Sequence, residues 1–254
     1  MPNPRQIRRP KGVISSYNIN SLHKRNPWVI ACWSAIFPGF GHISIGKYLK
    51  GFLLVIWELV INHFAKVNTA ILYGFTGKFD LCKEVLDKRW FLLYVGVFVF
   101  AIWDSYRSTI ETNKLSILAD AENSEILPVK ISSFDINYFH KRNPWVSLSW
   151  SFIMPGTGQL YNYRLPLGFF VLIWWILISY QSHIAEAIFY SLTGNTVFAA
   201  QTTDPQWLLF MPSIFGFAAY NSYVSTVEYN KLFTSEQNKY LADNYQDSSF
   251  AMPI

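Results

Sequence analysis

The stretch ISSYNINSLHKRNPWVIACWSAIFPGFGHISIGKYLKGF, Ile14–Phe52, is answered 117 residues later by ISSFDINYFHKRNPWVSLSWSFIMPGTGQLYNYRLPLGF, Ile131–Phe169. Carried on without a gap, Ile14–Lys114 aligns with Ile131–Lys231 and gives 41 identities in 101 positions. Identity at fixed offset over that length is the mark of a duplicated unit rather than of greasy helices that happen to look alike. His23-Lys24-Arg25-Asn26-Pro27-Trp28 recurs unchanged as His140-Lys141-Arg142-Asn143-Pro144-Trp145. Pro38-Gly39 recurs as Pro155-Gly156, and Glu111 near the end of one copy recurs as Glu228 in the other. The chain therefore divides into a basic tail (1–13), a first repeat (14–114), a linker (115–130), a second repeat (131–231) and a polar tail (232–254).

Composition places these repeats in a bilayer. The 254 residues are 51% hydrophobic, 18% aromatic and only 15% charged, against about 25% charged residues in an average soluble domain. Such a chain is too apolar for disorder. The basic start MPNPRQIRRPKG is followed by polar residues, not by the apolar run of a secretory signal. Cys32 and Cys82 are the only cysteines, and their settings differ, so no disulfide framework is expected.

Each repeat carries three apolar segments. In the first, Asn26 is suited to cap a helix and Pro27 to start it. Pro38-Gly39 breaks that helix after about 16 Å of rise, roughly half of a hydrocarbon core. The second segment runs from Gly51 past Asn62, and from Gly168 past Tyr180; the third starts at Trp90 and at Trp207. The expected fold is an all-α integral membrane protein with two spanning helices and one short Pro-Gly-broken hairpin per repeat. The alternative is three spanning helices per repeat, which would invert the second copy, as in many transporters. The positive-inside rule favours the first arrangement, because 16 of 21 basic residues then face one side, against 14 in the second. Inversion would also place one copy of the identical basic hexapeptide outside. Both termini are expected in the cytoplasm.

The phrase PGxGxxxxGxxxxG, written by Pro38, Gly39, Gly41, Gly46 and Gly51, together with Pro155-Gly156-Thr157-Gly158-Gln159-Leu160-Tyr161 in the second copy, resembles the turn of TM2-like small bacterial membrane proteins. The resemblance covers 25–40 residues of each repeat and implies a membrane hairpin. It brings no catalytic residues with it, and the second copy has Tyr163 where the first has Gly46.

No phosphate loop, metalloprotease helix, nucleophile elbow or paired CxxC occurs, so no catalytic set, cofactor or metal site is expected. The candidate functional residues are those that charge and repetition single out. Glu58 lies within LLVIWELVI, where a carboxylate is costly unless paired or protonated; His63 and Lys66 are its nearest conceivable partners in sequence. His23, Lys24 and Arg25, with His140, Lys141 and Arg142, suit anionic lipid headgroups. Pro38, Gly39, Pro155 and Gly156 suit close helix approach. Glu111 and Glu228 are placed to bridge to the two basic sets. Nucleic acid is not an expected partner, because the aromatic residues belong to the apolar segments. The expected role is a non-enzymatic subunit or assembly factor of a bacterial membrane complex, with a protein partner or a second copy. The alternatives are a small transporter or channel with a polar path near the repeat interface, and a lipid-handling protein.

Overall fold

The computed structural model describes residues 9–122, 126, 129–133 and 135–246. Helices account for 74% of them, and the remaining regular structure is two short hairpins. The chain opens with an antiparallel pair, β1 (Gly12–Ile14) and β2 (Ile19–Ser21), closed by a turn in which Ser15 N–H donates to Asn18 C=O at 2.9 Å. Helices α1 (Pro27–Ile36), α2 (Phe40–Ser44), α3 (Tyr48–Ala65), α4 (Val67–Phe75) and α5 (Phe79–Val85) follow, and α6 (Lys88–Glu122) closes the first series. A second pair, β3 (Val129–Ile131) and β4 (Ile136–Tyr138), precedes α7 (Pro144–Ile153), α8 (Thr157–Tyr161), α9 (Leu165–Gln181), α10 (Ile184–Leu192), α11 (Thr196–Thr202) and α12 (Pro205–Leu208). The final helix, α13 (Met211–Tyr245), is 35 residues long, as is α6.

Local chemistry explains the helix ends. Asn26 and Asn143 each accept from the backbone N–H two residues on, at 2.9 Å, and a proline takes the next position, where no N–H is needed. After α1 the chain turns through Gly39 at φ +102° and doubles back along α2, so that Gly46 C=O accepts from Asn20 of β2 at 3.4 Å. The Pro-Gly hairpin thus goes in and returns to the end it left. Helix α3 then runs to the far end, where Lys66, at φ 58°, breaks it before α4. Helix α6 brings the chain back, and its Asn113 meets Arg25.

The core is shared between the two halves. Phe37, Phe40, Val55 and Leu59 of the first pack with Leu167, Val171, Phe210 and Phe217 of the second. Phe40 stacks on Phe217 with centroids 4.0 Å apart, and Phe52 on Phe170 at 4.1 Å.

Several segments differ from their sequence expectation. The linker expected over 115–130 is helical as far as Glu122, because nothing between Leu115 and Glu122 breaks a helix. Ion pairs from Arg9 to Glu122 and from Lys11 to Asp120, each 2.5 Å, fasten this extension to the N-terminal segment. The polar tail expected from 232 is helical to Tyr245, for the same lack of a breaker, and positions 247–254 lie outside the described residues, as do 1–8 of the basic tail. Pro212 interrupts the third apolar segment of the second half, where the short α12 precedes α13. One described helix, Tyr48–Ala65, is long and apolar enough to cross a bilayer alone; Leu165–Gln181 and Ile184–Leu192 qualify only together, with a 59° bend between them. Helices α6 and α13 are apolar in their first halves, and polar residues fill the rest.

Candidate functional site

Both basic loops sit at the same end of the molecule. An asparagine of the following long helix clamps each one through its main chain. Arg25 N–H donates to Asn113 Oδ1 at 2.9 Å and Arg25 C=O accepts from Asn113 Nδ2 at 2.8 Å. Arg142 makes the same pair with Asn230, at 2.9 and 2.7 Å. Lys24 and Lys141 are left exposed. Trp28 and Trp145 are also exposed, each edge-on to a tyrosine, Tyr106 at 5.0 Å and Tyr223 at 5.3 Å.

The acidic residues expected to bridge these loops behave differently. Glu228 is ion-paired with Arg25 across the two halves, and His23 Nε2 lies 3.9 Å from the same carboxylate. Glu111 instead stays on its own helix, 3.7 Å from Arg107. Burial, aided by Arg25 and Lys11, pushes the His23 imidazole down to about 3. It is therefore neutral near pH 7, and its contact with Glu228 is no salt bridge; its Nε2 is 2.7 Å from Ser21 Oγ. Burial raises the Glu228 carboxyl, against the pull of Arg25 and Arg164. His140 stacks on Tyr138, with centroids 4.7 Å apart.

The glycines of the Pro-Gly turns serve close packing. A Cβ on Gly39 would collide with the carbonyl of Gly51, and one on Gly156 with that of Gly168. Both residues also hold a positive φ, so only glycine is comfortable there.

Behind the turns lie two polar clusters at equivalent positions. In the first half His42 Nε2–H donates to Asp104 at 2.8 Å, Lys50 is ion-paired with the same carboxylate, and Lys47 Nζ donates to Ser108 at 2.9 Å. His42 has no exposed surface, so this dyad reaches no solvent-borne substrate. In the second half Gln159, Asn221 and Leu167 stand where His42, Asp104 and Lys50 stand in the first. Arg164, the counterpart of Lys47, is buried; its guanidinium donates to Asn221 Oδ1 at 2.7 Å, to Ser225 Oγ, and to Tyr48 OH of the other half at 2.7 Å.

Glu58 is buried at 3% exposure in the middle of α3. Its partners are neither His63 nor Lys66. Asn62 Nδ2 donates to Oε1 at 2.9 Å, and Tyr94 OH donates to the same oxygen at 3.2 Å, while Oε2 has no hydrogen-bond partner. His63 lies against Trp207, with ring centroids 5.1 Å apart, and Lys66 occupies the helix break. Asn62 continues into a knot that ties the far ends of the halves together. Gln206 Nε2 donates to Asn62 Oδ1 at 2.8 Å, and Asn68 Nδ2 donates to Gln206 C=O at 2.9 Å. Glu58 also lines a cleft of about 630 Å³ between α1, α3, α4, α6 and α13.

Sequence reasoning missed the Arg164 cluster and the Asn62–Asn68–Gln206 knot. The first had a signal, since Asp104/Asn221 and Lys47/Arg164 change together between copies. The knot had none, because Asn62 and Gln206 are 144 residues apart. No protein-family model matches the chain, and neither a curated protein nor a solved structure matches it.

Proposed function

We propose that this chain is a multi-pass membrane protein that acts as a non-enzymatic subunit or assembly factor, seated by its basic end against anionic headgroups. The observation that carries the proposal is an inverted distribution of polarity. Leu53, Leu92 and Ile173 expose 60%, 75% and 61% of their surface, while Glu58, Asp104, Arg164 and Asn221 are buried. Water disfavours such a surface, and a bilayer favours it. The exposed Trp28 and Trp145, beside exposed Lys24 and Lys141, suit a membrane interface. The non-enzymatic role draws support from the polar groups at the basic end, where the buried Arg164 and the half-buried Arg25, Asn113 and Asn230 bond within the chain. The kinship with TM2-like proteins belongs to this proposal and rests on the Pro-Gly-x-Gly turns alone.

The test is cysteine labelling in intact cells, on a chain whose Cys32 and Cys82 have been replaced. Lys24→Cys and Lys141→Cys are expected to be shielded from an impermeant maleimide on the outside, and Lys78→Cys to be labelled. Labelling of Lys24→Cys and Lys141→Cys from opposite sides would overturn the arrangement, and release of the chain by alkaline carbonate would overturn membrane insertion. Purification in mild detergent is expected to bring down a stoichiometric protein partner or a second copy; a lone monomer would overturn the assembly role.

A further inference from the structure

We propose that the cleft beside Glu58 is a binding site for an organic ammonium or similarly bulky cation carried on an apolar body. Glu58 lines the cleft; its Oε1 accepts from Asn62 and Tyr94, and its Oε2 is buried with no hydrogen-bond partner. None of the described basic residues forms an ion pair with it. An isolated carboxylate in such surroundings is costly, and a cation that enters the cleft removes that cost. The remaining walls select the rest of the ligand. Trp33, Tyr94, Phe98 and Phe210 line the same space, and aromatic faces attract a desolvated cation. The volume of about 630 Å³ falls within the range of small-molecule sites, roughly 300–1,000 Å³.

A bare metal ion fits less well. It needs several convergent oxygens, and the amides of Asn62, Asn68 and Gln206 are already bonded to one another. The site occurs once per chain, because the second half has Trp175 where the first has Glu58. Trp175 instead packs edge-on to Phe215, with centroids 4.4 Å apart. The cleft therefore belongs to a difference between the halves and not to their common plan.

The experiment uses the full chain, purified in dodecylmaltoside, with tetraphenylphosphonium as the probe in equilibrium dialysis. This ion keeps its charge at every pH. Saturable binding near one per chain is expected, with neutral triphenylphosphine oxide failing to compete. Glu58→Gln is expected to weaken binding by about tenfold or more. A second variant keeps the charge and fills the space. A Cβ on Gly216 would meet only Trp33, at 3.8 Å, so Gly216→Leu is tolerated by the helix and projects into the cleft. It too is expected to lose binding. Wild-type affinity in either folded variant, or equal competition by the neutral oxide, would overturn the proposal.

Discussion

The two halves share a backbone plan, yet they stabilise one deeply buried polar position in opposite ways. Where α2 and α6 meet, the first half sets an acid among bases, with His42, Lys50 and Arg107 all directed at Asp104. The second half has no acid there. Asn221 accepts from Arg164, whose other bonds go to Ser225 and to Tyr48 of the first half. The exchange of Asp104 for Asn221 is thus matched by the loss of Lys50 to Leu167 and by the turning inward of the Lys47 position as Arg164. A guanidinium suits that burial because its planar fork can be bonded on several sides at once. The two positions thus differ in charge, and each cluster keeps a buried polar atom without a partner, Nδ1 of His42 in the first and Nδ2 of Asn221 in the second. The difference also explains why the halves are held together asymmetrically at the basic end. Arg164 reaches Tyr48 and Arg25 reaches Glu228, whereas Lys47 and Glu111 bond within their own half.

The sharpest way to break this comparison is to remove Arg164. Arg164→Ala leaves the buried Asn221 and Ser225 and the half-buried Tyr48 without their donor and opens a void at the seam, so a loss of about 3–5 kcal/mol is expected. Lys47→Ala removes one bond to Ser108 from a partly buried site, and about 1 kcal/mol or less is expected. Thermal unfolding in detergent measures both; equal losses would refute the assignment of the seam to Arg164. The glycine turns should respond alike in the two halves. Gly39→Ala and Gly156→Ala each force a Cβ against a carbonyl at positive φ, at a cost of about 2–4 kcal/mol. A large inequality would mean that the hairpins are not equivalent. A smaller effect concerns the acid itself. Asp104→Asn makes the first half read like the second and leaves Lys50 without its counter-charge, for an expected loss of about 2 kcal/mol. The reciprocal Asn221→Asp places a carboxylate beside Arg164 and is expected to be tolerated. Destabilisation of both to the same extent would show that charge is not what distinguishes the sites.

Much of the plan was legible from the sequence because it is carried by short-range chemistry. Asn-Pro starts a helix and Pro-Gly ends one wherever they fall, and both copies write the same letters at the same spacing. The return of the chain after α1 follows from the same Pro-Gly turn, where Gly39 takes a positive φ that reverses the chain direction. The lengths of α6 and α13 were not legible, because the polar residues after Asp104 and Asn221 mark the end of an apolar run and say nothing about where a helix stops. Glu58 stood out as an anomaly, but its partners did not. One of them, Asn62, lies a single turn away, within reach of sequence reasoning; Tyr94 comes from α6 and is brought there only by packing. The knot around Gln206 joins segments that no local pattern relates.

The smallest expected effect separates the two copies of the basic loop. His23 is held neutral by burial and by Arg25, with a folded value of about 3 against 6.5 for the free side chain. A group with a depressed folded value binds more protons when unfolded, so stability is complete above about pH 6.5 and falls as the pH drops toward 3. The slope approaches 1.4 kcal/mol per pH unit for one proton. Glu228, with a raised folded value, acts in the opposite sense as the pH falls toward the carboxylate range, because there it binds its proton more readily in the folded state. The His23 contribution acts between about pH 6.5 and 3, and the raised Glu228 carboxyl offsets part of it. His23→Gln keeps a hydrogen-bonding side chain beside Ser21 and removes the titration. It is expected to flatten the pH dependence of the unfolding midpoint across that interval while leaving the midpoint at pH 7.5 little changed. An unchanged slope would assign the acid sensitivity to groups other than His23 and remove this distinction between the loops.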